Sequence, residues 1–278
     1  MVVASMVGAQ QPPATKLAAA FNIDSMRASA GPPFSEHQSP HFLLFTEHGG
    51  QQAARMLDSL EAAFSHATTL LGATSPEIGR ITVFVTASRM RFPLVLTPSN
   101  KGVMGRARGG GQELIVLVVN DSVRSYARHE VMHAMGFRLW GAPPPARSHW
   151  MAEGLATYAD GLCQGVPNVV VARDLLRERP TLTSQDVTER FATLAEENRS
   201  AAYVLAASLI DFLWTTRGRD GFKRVWNGTD RLWNGEGSSA GAFNPALNVT
   251  HAWRAHVERV AGTRPGVSAE SLRRHGCG

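Results

Sequence analysis

Residues 127–136 read Ala-Arg-His-Glu-Val-Met-His-Ala-Met-Gly. Positions four apart on a helix stack on one face, so His129 and His133 can aim two imidazoles at one ion, at distances of about 2.0–2.1 Å for zinc. Glu130 follows one residue on, turned about 100° around the helix. It therefore stands off the ligand face, within reach of a water on the metal. Two ligands, an open position and an adjacent carboxylate base are the parts of a metal-dependent hydrolase. Chance supplies this five-residue pattern about 0.02 times in a chain of this composition, which weighs against an ordinary helix that happens to carry two histidines.

Two imidazoles do not complete a catalytic zinc site, which uses three protein ligands and keeps a fourth position open. One known completion is a later histidine, six residues after the second one. That position is Leu139, so this completion fails here. The other is a glutamate on the following helix. Trp150-Met151-Ala152-Glu153 supplies it, after a stretch of 19 residues (134 to 152) that contains three consecutive prolines, Pro143 to Pro145. Proline removes backbone donors and clashes with a preceding turn, so the first helix must end before this run and a second can fold back. The expected metal ligands are thus His129, His133 and Glu153, with Glu130 as general base. Gly154 and Ala156 are small, and are expected to let these two helices approach closely.

His129-Glu130-Val131-Met132-His133, followed by the segment Trp150 to Tyr158, resembles the gluzincins, a family of peptidase MA-like zinc metallopeptidases. The specific similarity spans residues 129–158, and a looser similarity of layout runs from His41 to about Trp226. The resemblance implies an α+β, zincin-like fold: an N-terminal mixed sheet with helices and an active-site helix, then a mostly helical C-terminal lobe. It implies one Zn2+ ion and peptide-bond hydrolysis through a metal-bound water. It also implies a peptide or protein substrate lying extended along an edge strand, either 104–108 or 112–119. Related enzymes often place a tyrosine facing the metal on a long apolar helix; Tyr203 matches that place and is the expected donor to the oxyanion, its alternative being a core aromatic. Tyr126 and Tyr158 read as packing residues, and His149, at a helix entry, as solvent-facing.

Two departures narrow the comparison. The thermolysin-like members carry an aspartate four residues after the glutamate ligand, bonded to a ligand histidine; here that place is Thr157, whose hydroxyl would orient His129 more weakly. The zinc aminopeptidases grip a free amine with Gly-x-Met-Glu-Asn, and the glycine-rich stretch 109–116 is not that segment. An endopeptidase is therefore favoured over an aminopeptidase. The competing reading is a non-catalytic, zinc-stabilised protein-interaction domain on the same fold, which would have no use for Glu130.

The elements that must position these residues are legible in outline. Strands are expected at 41–47, 80–86 and 112–119, and an amphipathic helix at 51–72 with Ala54, Leu57, Leu60, Ala63, Phe64 and Ala67 on its apolar stripe and Gly72 closing it. Asn120, Asp121 and Ser122 offer caps for the motif helix, and Gly136 offers it an end. Further helices are expected from near Ser148, over 183–198 with a Thr183/Asp186 capping box, over 200–218 as a central apolar helix, and over 244–262. The domain reading is residues 1–38 as leader or arm, 39–140 as the sheet-containing lobe with the motif helix, and 141–278 as the helical lobe carrying the third ligand.

With 278 residues, 44% of them hydrophobic and 18% charged, the chain can bury a sizeable core. Its net charge of +5 rests on scattered arginines, without a basic run or interleaved aromatics, so no nucleic-acid partner is expected. No stretch reaches the roughly 20 apolar residues of a membrane helix. The start, Met1 to Lys16, is short and apolar without a basic region; export to the periplasm or medium is favoured, with the cytoplasm as the alternative. Cys163 and Cys277 would pair in an exported protein and stay free in the cytosol.

Overall fold

A computed structural model describes residues 26, 28, 33–73, 79–92, 102–106, 113–119, 127–144, 148–229 and 245–277. Most of the expected leader, the caps at 120–122, Tyr126, the glycines 109–111 and Asn244 lie outside these residues. The fold is mixed α+β, and the chain divides into two compact units, residues 1–54 with 80–125 and residues 55–79 with 126–278. The motif helix therefore belongs with the helices that follow it, whereas the sequence reading joined it to the sheet and drew the boundary at 140. This helix packs on the next one, with His129 and His133 beside Glu153 and Gly136 against Leu155.

The first unit holds a five-stranded mixed sheet built from β1 (Ser35–Gln38), β2 (Phe42–Thr46), β3 (Ile81–Thr86), β4 (Gly102–Arg106) and β5 (Glu113–Val118), in the order β1-β2-β3-β5-β4. β2, β3 and β5 are parallel; β1 and β4 run antiparallel to their neighbours. Strands paired on both sides read as near-continuous apolar runs, and both faces are buried here. Phe42, Leu44, Ile81, Val83, Ile115 and Leu117 are enclosed on one face. Phe45, Phe84, Leu114, Val116 and Val118 form a cluster on the other with Met26 and Phe92, and Phe45 stacks on Phe84 at 4.9 Å. Of the two expected edge strands, 112–119 is corrected: β5 is interior, bonded to β3 and to β4, and has no free backbone to offer. Among the described strands the edge on that side is β4.

The parallel pairing of β2 with β3 needs a crossover, and α1 (Gly50–Leu71) supplies it, closed by Gly72 at φ +71°. Ala54 is exposed and Ala53 buried, so the apolar stripe starts one residue earlier than expected. Ala53 and Leu60 are seven apart, two full turns, and share a face; Ala54 does not.

The second unit contains α2 (Ala127–Trp140), α3 (Ser148–Asp160), the hairpin β6 (Leu162–Cys163) and β7 (Val166–Pro167), α4 (Asn168–Glu178), α5 (Ser184–Glu189), α6 (Phe191–Trp226), α7 (Pro245–Ala261) and α8 (Ala269–His275). Gly136 does not end α2. A Cβ there would meet Leu155 at 3.6 Å and Trp226 at 3.7 Å, so its smallness serves packing, and Gly141 at φ +79° turns the chain instead. The Thr183/Asp186 capping box is present, but the helix it opens stops at Glu189 and a new one starts at Phe191. α6 is interrupted at Asn198 and Gly218, and its middle stretch is the buried central helix that the apolar run announced. Cys163 and Cys277 form a disulfide. No helix among the described residues is long and apolar enough to cross a membrane.

Candidate metal centre

Every side chain of the candidate site belongs to the second unit, on α2, α3 and α6. α2 delivers His129 and His133 on one face. Their Nε2 atoms stand 3.2 Å apart, with the rings edge-to-face at 79°. α3 brings in Glu153, whose Oε2 lies 3.2 Å from the Nε2 of His129 and 3.4 Å from that of His133. Three ligand atoms about 2.05 Å from a tetrahedral zinc would stand about 3.3 Å from one another. The observed separations match that triangle, and the two imidazoles and one carboxylate are a zinc donor set, so the residues fit the ion.

The tautomer of His129 strengthens this fit. Its Nδ1 lies 3.0 Å from Oδ2 of Asp160, an acceptor, so Nδ1–H donates to the carboxylate and Nε2, facing the centre of the triangle, is the nitrogen whose lone pair would serve an ion once its proton is lost. The expectation that Thr157 orients His129 is corrected. Its hydroxyl is buried and has no hydrogen-bond partner, while its carbonyl accepts from Gly161 and Asn168. Asp160 had not been singled out in the sequence. The signal was available: residues 153 and 160 are seven apart, two helical turns, and so share a face.

Glu130 is buried beside the triangle. Burial raises its pKa, against the lowering pull of His129 and His133. Burial would lift Glu153 as well, but the charge of His133 and hydrogen bonds from both histidines hold it well below the usual carboxylate range. For His129, burial disfavours the cation, yet Asp160 and Glu153 outweigh it and raise its pKa well above that of free imidazole. The acidic neighbours, not burial, thus favour the protonated form of His129 at the place where the fit puts a metal.

Tyr203 stands over the site. Its ring is parallel to that of His129, with centroids 6.2 Å apart and planes at 7°, and Phe191 stacks on it at 5.7 Å. Burial, the charge of Glu153 and a hydrogen bond to Glu153 raise its pKa far beyond the ordinary tyrosine value, so the hydroxyl keeps its proton. The close approach that brings it there is at Gly154. A Cβ on that residue would come within 3.0 Å of Ile210 and 3.1 Å of Ala206, so Gly154 faces α6, not α2 as expected. Tyr158 packs near Trp214 at 5.9 Å, and His149 is exposed against Phe191, both as the sequence suggested.

The chain matches no protein-family model and no curated protein sequence.

Proposed function

We propose that this chain is a zinc-dependent peptidase of the gluzincin type, with a zincin-like fold, acting as an endopeptidase on extended peptide or protein substrates. The observation that carries the reading is the triangle of His129, His133 and Glu153 with a buried Glu130 beside it. A structural zinc site is closed by four protein ligands. Here three groups converge among the described residues, and Asp160 is engaged on the far side of His129, which supports an open fourth position.

His129, His133 and Glu153 would hold the ion, which when bound supplies Lewis acidity to a water and to the scissile carbonyl. Glu130 takes the proton of the attacking water and delivers it to the departing nitrogen. Its raised pKa suits that exchange, because a stronger base takes the proton from water more readily while a pKa closer to the working pH still lets it be passed on. Tyr203 keeps its hydroxyl proton and donates a hydrogen bond to the charge growing on the carbonyl oxygen. Asp160 fixes the ring of His129. The parallel strands ahead of the motif helix and the helices after it are consistent with a zincin-like layout. The disulfide suits an oxidising compartment and so an exported protein.

Cleavage of an unstructured protein such as casein tests the reaction. Glu130→Gln is expected to keep its metal and to lose turnover by about 10²–10⁴-fold. Cleavage by that variant at the wild-type rate would end the proposed mechanism.

A further inference from the structure

The start of the helical stretch that carries Tyr203 is tied to the C-terminus of the chain. Asn198 breaks α6 with extended backbone angles, and its side chain caps the stretch that follows by accepting from the N–H of Ala201 at 3.1 Å. Its other polar atom is spent elsewhere: Nδ2 donates to the carbonyl of Ala269, in the first turn of α8, at 3.2 Å. One buried amide thus joins the cap of the Tyr203 helix to the final helix. Further along α8, Leu272 is fully buried, and Gly276 runs past Ser200, its missing Cβ 3.5 Å from the serine hydroxyl.

The far end of this segment is latched to the turn that follows Asp160. Cys277 is bonded to Cys163, and the N–H of Gln164 donates to the carbonyl of Cys277. The Gln164 amide also donates to the carbonyl of Gly276 at 2.6 Å and accepts from the Ser271 hydroxyl at 3.1 Å. Gln164 takes φ +52° in the two-residue turn of the β6–β7 hairpin, next to Gly165 at φ +77°. A left-handed glutamine is costly in a turn that favours Asn, Asp or Gly. The bonds to the C-terminal segment are what offset that cost here.

We propose that residues 268–277 form a disulfide-latched strap that positions Tyr203 over the metal centre, with Asn198 as the positioning residue through which it acts. This rests on the peptidase reading only for its kinetic consequence. The strap's bonds run to Asn198, Gln164 and Cys163, so it acts on the helix that bears the donor to the oxyanion and not through the ligands. Loosening it lets the first turn of the Tyr203 helix fray, and the hydroxyl leaves its place while His129, His133 and Glu153 keep theirs.

A double-mutant cycle separates this from a merely structural role. Asn198→Ala is expected to lower kcat about ten- to hundredfold with KM and zinc affinity unchanged, and to cost nothing further in a Tyr203→Phe background. Asn198→Asp, which keeps the acceptor for Ala201 and loses the donor to Ala269, should fall between wild type and Asn198→Ala. Amide hydrogen exchange across 199–203 should quicken in Asn198→Ala and in Cys163→Ala/Cys277→Ala, while exchange across 127–140 stays as in wild type. Kinetic losses that add to those of Tyr203→Phe, or zinc affinity that falls in step with kcat, would overturn the proposal. Should the wild-type protein cleave no peptide, the peptidase reading fails by itself; unchanged exchange at 199–203 after the latch is removed would then sink the strap independently.

Discussion

Asp160 offers the sharpest separation between what the family pattern suggests and what this chain does. The pattern puts the partner of the ligand histidine four residues after Glu153, at Thr157; the structure puts it seven residues after, at Asp160, with a 3.0 Å contact to Nδ1 of His129. A carboxylate in this role orients the ring and raises its basicity, and its removal typically costs 10–100-fold in metal affinity, or about 1.4–2.7 kcal/mol. The Asp160 side chain is 26% exposed against 6% for His129, so water screens part of its charge and can replace part of its hydrogen bond. Asp160→Asn retains an acceptor for Nδ1–H and should sit near the tenfold end. Asp160→Ala removes the acceptor and should lie further toward the hundredfold end. Thr157→Val is the control. It deletes a buried hydroxyl without a partner, so zinc affinity should stay within about twofold while stability holds or rises by about 1 kcal/mol. Competition against a chromophoric chelator gives the affinities, and urea unfolding of the metal-free proteins gives the stabilities. Loss of zinc in Thr157→Val with wild-type affinity in Asp160→Ala would refute the assignment.

Two further expectations follow from the packing and the charges. Gly154→Ala should destabilise the protein by about 1–3 kcal/mol and lower kcat, because its methyl group must displace Ala206 and Ile210 on the helix that carries Tyr203; a fully active, equally stable variant in urea unfolding would contradict this. In the metal-free protein, the raised pKa of His129 gives stability that is full below about pH 6.5 and is lost as pH rises through the folded value, while the lowered pKa of Glu153 gives stability present above about pH 4.5 and lost as pH falls through its folded value. The melting temperature of the metal-free protein should therefore peak between these limits, and zinc affinity should climb with pH as the proton on His129 is displaced. A flat melting profile from pH 4 to pH 9 would remove the paired charges from the stability of the site.

What could be read from the sequence was what local periodicity encodes. The spacing of His129 and His133 fixes a shared face once a helix forms, and the proline run forces the return that delivers Glu153. Apolar runs marked β2, β3, β5 and the middle of α6 because their burial leaves little room for polar residues. The features that escaped depend on which surface meets which. Gly154 looked like a contact for α2, yet it serves α6, since smallness in a sequence does not say which neighbour needs the space. Gly136 resembled a helix end, but tertiary packing against Leu155 and Trp226 carries α2 through it. The apolar run 112–119 gave no sign of whether it lay inside the sheet or at its edge; β4, paired beyond it, decides that. The family pattern points to Thr157, while only the helical period from Glu153 marks Asp160 as lying beneath the same histidine.

The central claim is that His129, His133 and Glu153 bind one divalent cation and that Glu130 does not. Zinc titration of the wild type, Glu130→Gln and Glu153→Ala by calorimetry tests it most directly. One tight equivalent in the first two proteins, with binding weakened by at least about tenfold in the third, is the expected result. Equal zinc affinity in wild type and Glu153→Ala, or loss of the metal in Glu130→Gln, would contradict it.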